Sequence, residues 1–385
     1  MIYFDNSATT KCSKKVIDIM NYAMEYNWGN PSSVHTMGKK SKEALDIARE
    51  KIAFTLGKNV SPKSIVFTSG GSESNNFAIF GSALHNKNKT RIITSKIEHP
   101  CVIAPCNRLK NILNYDSIFL ETDKYGLVDK EQLKESLNDN TLLVSIMHVN
   151  NEIGTIQDIK EIGQIIKNYN ENILFHVDAT QGYGKIPFDV DDYNIDLLTI
   201  SGHKINGPKG VGFLYIKNTK TIDSMIIGGS QQNAMRAGTE NVYNIIGLGE
   251  SCKENYDTLE KRINQMRSVQ DYFSSLLISL DDVVIHGPKD AKHRAPHIIS
   301  AGFKNINNFE LMDELSKNDI MVSAGSACSC LKERNDASTT LRAIKTSDEF
   351  LHSTIRFSFD HNNTIEEAKY VFDKLKQIIN ELKCK

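Results

Sequence analysis

Short apolar, β-branched runs recur along the chain up to about residue 240, and amphipathic stretches separate them. The runs are Ile65-Val66-Phe67, Arg91-Ile92-Ile93-Thr94, Leu142-Leu143-Val144-Ser145-Ile146, Ile173-Leu174-Phe175-His176-Val177, Ile195-Asp196-Leu197-Leu198-Thr199-Ile200 and Val211-Gly212-Phe213-Leu214-Tyr215-Ile216. Several lack the polar alternation of a half-exposed strand, so they predict strands covered on both faces. Helical spacing takes over between them. Ala44, Ile47, Ala48 and Ile52 share one face and stop at Gly57, a residue suited to ending a helix. Ile159, Ile162, Ile165 and Ile166 form a second stripe. Strand and helix in repeated alternation predict an α/β fold, a mostly parallel sheet covered by helices.

The pattern changes after about residue 240. A long helical stretch over 242–279 leads to short strands near 283–285 and 298–300, a helix near 308–318, strands near 320–323 and 355–358, and a closing helix over 364–383. This second region reads as a smaller α+β domain. The expected division is a large domain over 15–255, with 1–14 and 256–385 forming the small one.

Composition narrows the function classes. The 385 residues are 40% hydrophobic and 24% charged, with net charge −1. That balance carries no basic excess for nucleic acid or an anionic membrane, and it is not the composition of a disordered chain. No run approaches the length of a membrane span, and Met1-Ile2-Tyr3-Phe4-Asp5 has no signal-like character. Seven scattered cysteines suggest reduced thiols and a cytoplasmic location.

Chemistry-bearing residues gather where the apolar runs end. Asp178 closes one run and Lys204 follows the next, so one crossover would bring both to the carboxyl edge of the sheet, where open α/β folds bind ligands. An amine and a carboxylate at that edge suit pyridoxal phosphate: the lysine for a Schiff base, the acid for the pyridine nitrogen. Gly70-Gly71-Ser72 sits at a strand-to-helix turn, a seat for phosphate or an ordinary capped turn. His99 and Asn151 follow two further strands to the same edge. Arg356 lies mid-strand among apolar residues, matched either to a substrate carboxylate or to a structural ion pair. Cys328 stands among small residues ahead of a polar run, Lys332 to Asp336, which reads as an exposed nucleophilic thiol on a loop of about 323–340. Cys328-x-Cys330 has no second half to complete a metal site, and no metal is expected.

Taken together these segments resemble the class V, fold-type-I pyridoxal phosphate enzymes, and among them the cysteine desulfurases of the NifS/IscS kind. The resemblance runs from Tyr3–Thr10 through Gly29–Ser33, Thr68–Asn75, Glu98-His99, Val149–Gly154, His176–Gln181, Ser201–Gly210 and Arg236–Thr239 to Ser323–Cys328 and Ser353–Ser358. It implies a Schiff-base role for Lys204, a pyridine-nitrogen contact for Asp178 and a ring-oxygen contact for Gln181. His99 would stack on the ring. Gly71, Ser72, Ser201 and His203 would hold the phosphate, joined by Thr239 from the second subunit of a homodimer. Asn151 would position cofactor and substrate, Arg356 would bind the substrate carboxylate, and Cys328 would accept the sulfur. The implied activity is removal of sulfur from L-cysteine to give L-alanine and a Cys328 persulfide. The persulfide would pass to an acceptor protein for iron–sulfur cluster assembly or tRNA and cofactor thiolation. A selenocysteine lyase on the same fold and an inactive scaffold relative are the alternatives. The chain departs from the family after Cys328: the family's short form usually continues with small residues and a Leu-Glu-Pro-Ser turn, whereas here Ser329-Cys330-Leu331-Lys332-Glu333-Arg334-Asn335-Asp336-Ala337-Ser338 follows, with a second thiol and no proline turn. Cys330 is either a relay for the persulfide or a neutral replacement of serine.

Overall fold

A computed structural model describes residues 1–325 and 338–384. The chain opens with a two-residue strand, β1 (Ile2–Tyr3), and continues through the helices Lys14–Tyr26 and Thr36–Leu56 into the central sheet. Its strands are β2 (Ile65–Thr68), β3 (Arg91–Ser95), β4 (Asp116–Leu120), β5 (Thr141–Met147), β6 (Leu174–Asp178), β7 (Leu197–Ser201) and β8 (Gly212–Ile216). Among the described residues they lie in the order β2-β8-β7-β6-β5-β3-β4. Every residue of β5, β6, β7 and β8 is buried, as their unbroken apolar runs require.

The strands from β7 to β4 run parallel, whereas β8 is antiparallel to both neighbours. The connection 202–211 explains the reversal, because a parallel crossover needs about a dozen residues or more. β4 is absent from the expected strands. It sits at the sheet edge with β3 as its neighbour and is only partly covered, so its sequence is mixed.

A second core forms around β10. The strands β9 (Val283–His286), β10 (Ile298–Phe303) and β12 (Thr354–Ser358) make an antiparallel sheet, and β11 (Ile320–Met321) pairs in parallel with β1. Phe4 from the N-terminal segment packs edge-on to Phe359 at 4.9 Å, and Phe273 to Phe357 at 5.0 Å. The first residues are therefore built into the core assembled by the last hundred or so. The expected long helix over 242–279 is two helices, Val242–Asp257 and Leu259–Ile278. They meet at Thr258, whose backbone (φ −115°, ψ 12°) leaves the helical region while its hydroxyl donates to the Glu254 carbonyl.

Candidate active site

Parallel strands deliver their carboxyl ends to one edge, and the site is built there. Asp178 is the last residue of β6. Lys204 lies one short turn beyond β7, His99 follows β3 and Asn151 follows β5. All four line one cleft of about 200 Å³, together with Gly71, Ser72, Gln181, Ser201, His203 and Arg356. Ser7 and Ala8 of the N-terminal segment close it from the side of the second core.

Lys204 Nζ donates to the carbonyls of Ser7 (2.5 Å) and Ala8 (2.9 Å). Asp178, 5% exposed, accepts from Asn75 Nδ2 at 2.7 Å and from the Thr180 N–H at 3.0 Å. Asn75 stands one turn after Gly71 on the helix Gly71–His85, so the residue that supports Asp178 and the glycine turn share a helix face. Gln181 donates through Nε2 to the Ser7 carbonyl (2.9 Å). Its Oε1 accepts from Lys185 Nζ (3.0 Å), which fixes the amide orientation. Lys185 is buried, and desolvation lowers its pKa to about 7.

The glycine turn leaves backbone donors open. Gly70 is the N-cap of the Gly71–His85 helix, supplies no capping side chain, and adopts φ 149°, a conformation that favours glycine. A Cβ on Gly71 would come within 3.3 Å of Thr180 Oγ1 and 3.5 Å of Ser201 Cβ. The helix's positive end therefore faces the cleft through a gap that only glycine leaves open. The one acidic side chain in its first turn, Glu73, is tied to Arg236 at 2.9 Å, with its pKa held below the usual range by hydrogen bonds to Arg236 and Ser69 that outweigh partial burial.

His99 caps the helix Pro100–Leu113: its Nδ1 accepts from the Cys101 N–H at 3.2 Å. Burial lowers its pKa. Two residues on, Cys101 also lines the cleft. Its Sγ lies 2.8 Å from His99 Nδ1 and accepts from Asn75 Nδ2 at 3.0 Å. Arg356, 2% exposed, donates through Nη2 to Asp5 Oδ1 (2.8 Å) and through Nη1 to the Asn151 carbonyl (2.9 Å). The ion-pair reading of this arginine is met by Asp5, and the side chain also lines the cleft where a substrate carboxylate is expected.

Among the described residues, three buried polar atoms of residues that line the cleft have no partner: Arg356 Nε, Asn75 Oδ1 and Ser7 Oγ. Buried polar groups left this way call for a ligand. With the open helix end and the Lys204–Asp178 pair, they fit the pyridoxal phosphate and amino-acid carboxylate expected from the sequence. Thr239 is not among the lining residues and is exposed. Cys328 and Cys330 lie outside the described residues. His148 and His176, which also follow or sit in central strands, are absorbed structurally. His148 is buried against Phe188 and Tyr193, and burial lowers its pKa to about 4. His176 bridges Ser145 and Thr199 across neighbouring strands.

Sequence reading missed Asn75 and Cys101 as functional candidates. Asn75 carried a signal, its i, i+4 spacing from Gly71; Cys101 carried none, since its partners come from another helix and from the cap.

Comparison with known proteins agrees along the whole length. The model of the class-V aminotransferase family matches residues 2–371. The cysteine desulfurase IscS of Dictyoglomus turgidum is 41% identical, over 99% of this chain and 95% of its own. A solved NifS-like protein superposes with a TM-score of 0.92 at 34% identity, covering 99% of this chain and all of the other. SspA, solved in complex with cysteine, gives 0.80 at 34% identity over 93% of this chain and 99% of its own. Family model, relatives and solved structures converge on one assignment: the chain belongs to the class-V aminotransferase family, in its NifS/IscS-like branch.

Proposed function

We propose that this protein is a pyridoxal phosphate-dependent cysteine desulfurase that takes sulfur from L-cysteine and releases L-alanine. The observation that carries this reading is the cleft itself. A lysine, a buried carboxylate, an open helix N-terminus and a buried arginine with an unpaired N–H converge at one sheet edge, in a chain whose full-length relatives are named cysteine desulfurases.

Pyridoxal phosphate, bound through Lys204, supplies an electron sink that stabilises negative charge at the substrate carbons. Asp178 would face the pyridine nitrogen and keep it protonated, and Asn75 and the Thr180 N–H orient that carboxylate. Gln181 reaches the ring oxygen, with Lys185 holding the amide. Gly71, Ser72, Ser201 and His203 receive the phosphate, at a helix end already cleared of free acidic charge. Arg356 takes the substrate carboxylate and Asn151 positions the substrate beside it. The Lys204 amine would act as the base for the substrate's Cα proton. Cys328 thiolate then attacks the substrate sulfur. A new S–S bond forms, the carbon–sulfur bond breaks, and its electron pair stays with the carbon, which takes a proton to become alanine. His99 would stack its neutral imidazole on the cofactor ring.

The acceptor side completes the reading: Cys328 passes its persulfide by thiol exchange to a protein of iron–sulfur cluster assembly or of tRNA and cofactor thiolation. A cytoplasmic setting is consistent with Cys12, Cys101, Cys106, Cys252 and Cys384, all free thiols. Among the described residues no helix is long and apolar enough to cross a membrane. A homodimer is supported by Thr239, exposed and outside its own chain's cleft, and by exposed Trp28, Val34 and Ile227.

The test is alanine release from L-cysteine in the presence of a reducing thiol. Wild-type protein should release alanine. Lys204→Ala should lose both turnover and the visible absorbance of the loaded protein. Cys328→Ala should keep that absorbance and lose the persulfide. Alanine release by Lys204→Ala at the wild-type rate refutes the assignment. Selenocysteine run in parallel reads the chalcogen preference.

A further inference from the structure

We propose that Cys101 is a positioning residue for this reaction: its thiol donates to Nδ1 of His99 and accepts from Asn75, joining the histidine to the Asn75–Asp178 pair and holding the neutral ring as its Nε2–H tautomer. The inference rests on the function proposed above.

The hydrogen-bond directions follow from what each group can do. The Cys101 backbone N–H is only a donor, and it points at His99 Nδ1 from 3.2 Å. Nδ1 must then offer its lone pair, and a neutral imidazole carries its proton on the other nitrogen. Asn75 Nδ2 is also only a donor. Its two hydrogens go to Asp178 Oδ2 at 2.7 Å and to Cys101 Sγ at 3.0 Å. Ser72 also hydrogen-bonds Sγ and its hydroxyl can donate there, so the thiol hydrogen is directed to Nδ1, 2.8 Å away, where it shares the lone pair with the backbone N–H. The chain of contacts runs from the Asp178 carboxylate through one amide and one thiol to the ring that lines the cleft.

A cysteine beside a histidine in an active site also suggests a nucleophile and its base. Here the surroundings argue against that role. Burial pushes the Cys101 thiol up to about 12, and the Asp178 charge adds to the effect, so the thiolate is disfavoured at neutral pH. Cys101 acts through His99 rather than on the substrate. The charged groups that face His99 are Asp178, which favours the imidazolium, and Lys204, which opposes it. The S–H donor adds to the opposing side, because it stabilises the lone pair that protonation would consume.

The experiment is nitrogen-15 NMR of selectively histidine-labelled, cofactor-loaded protein, with His99→Gln used to assign the ring. Wild-type His99 should show the Nε2–H tautomer. Cys101→Ala should raise the His99 pKa by about 0.5–1 pH unit, the worth of one net hydrogen bond. Cys101→Ser retains a donor and should restore the wild-type value. The acidic limb of the kcat–pH profile should move with the NMR value in both variants. A wild-type ring protonated on Nδ1 overturns the proposal, as does a His99 pKa in Cys101→Ala within 0.2 unit of wild type. Because the tautomer is read without turnover, these results stand apart from any failure of the desulfurase reading, which alanine release tests.

Discussion

Arg356 meets two demands with one side chain. Its Nη2 is paired with Asp5 and its Nη1 with the Asn151 carbonyl, while Nε stays unpaired in the wall of the cleft. A lysine there would keep a positive charge opposite Asp5 but lose the planar fork. Arg356→Lys should therefore fold and load cofactor, while its KM for cysteine rises about 10- to 100-fold, the worth of one charge-assisted hydrogen bond. Steady-state kinetics on the loaded variant checks this, and an unchanged KM would remove Arg356 from substrate binding. The sequence shows why some such residues are legible and others are not. Asp178 and Lys204 stand at the ends of uniformly apolar runs, so their shared edge follows from strand direction alone. Asn75 and Cys101 sit on two different helices and meet only in three dimensions, 26 residues apart in the chain. The orientation of Gln181 is also invisible locally, because it depends on contacts to Ser7 and Lys185.

At the scale of elements, the helix Ile159–Tyr169 is the clearest case of a readable pattern with an unreadable detail. Ile159, Ile162 and Ile166 are buried as their spacing predicts, and Ile165 is only partly covered. Gly163 on the same face is buried too, where a Cβ would stand 2.2 Å from the Tyr193 carbonyl oxygen. Gly163→Ala improves local helix propensity yet must push the helix off the 179–196 crossover. We expect a net loss of about 1–3 kcal/mol by denaturant unfolding, the usual cost of overpacking; a stabilised variant would show that the helix can shift freely. Elsewhere the pattern misled where direction depends on context. The 242–279 stretch is helical on both sides of Thr258, and periodicity alone does not mark the break. β8 has the composition of its parallel neighbours, and only the length of the connection before it reveals its reversal.

For the whole molecule, buried titratable groups set the response to pH. Burial lowers the pKa of His148, His203 and His286 to about 4 each, and holds that of His297 well below its ordinary value. Between about pH 4 and the ordinary value near 6.5 the unfolded chain binds protons that the folded chain refuses, so stability rises with pH across that window. Glu98 works in the opposite sense. Burial raises its pKa to about 8, so its stabilising contribution is full below about 4.5 and is lost as pH climbs through 8. Four histidines outweigh one glutamate below 6.5. The urea midpoint of the loaded protein should climb from pH 5 to 6.5, by up to about 1.4 kcal/mol per pH unit for each histidine. A flat or falling midpoint there would show that these rings are protonated in the folded state.

The route of the first ten residues has a consequence for synthesis. They are made long before the residues that anchor them: Ile2 pairs with Ile320, the Ser7 N–H bonds Ser358, and the Ser7 and Ala8 carbonyls meet Lys204. A nascent chain whose central sheet has emerged still lacks the anchor that draws this segment across the cleft. Lys204 acquires these surroundings only after β12 has been made. Assembly of the site thus waits on the second core, and a chain cut before Thr354 would carry Asp178 and Lys204 without the contacts that draw the first residues across the cleft.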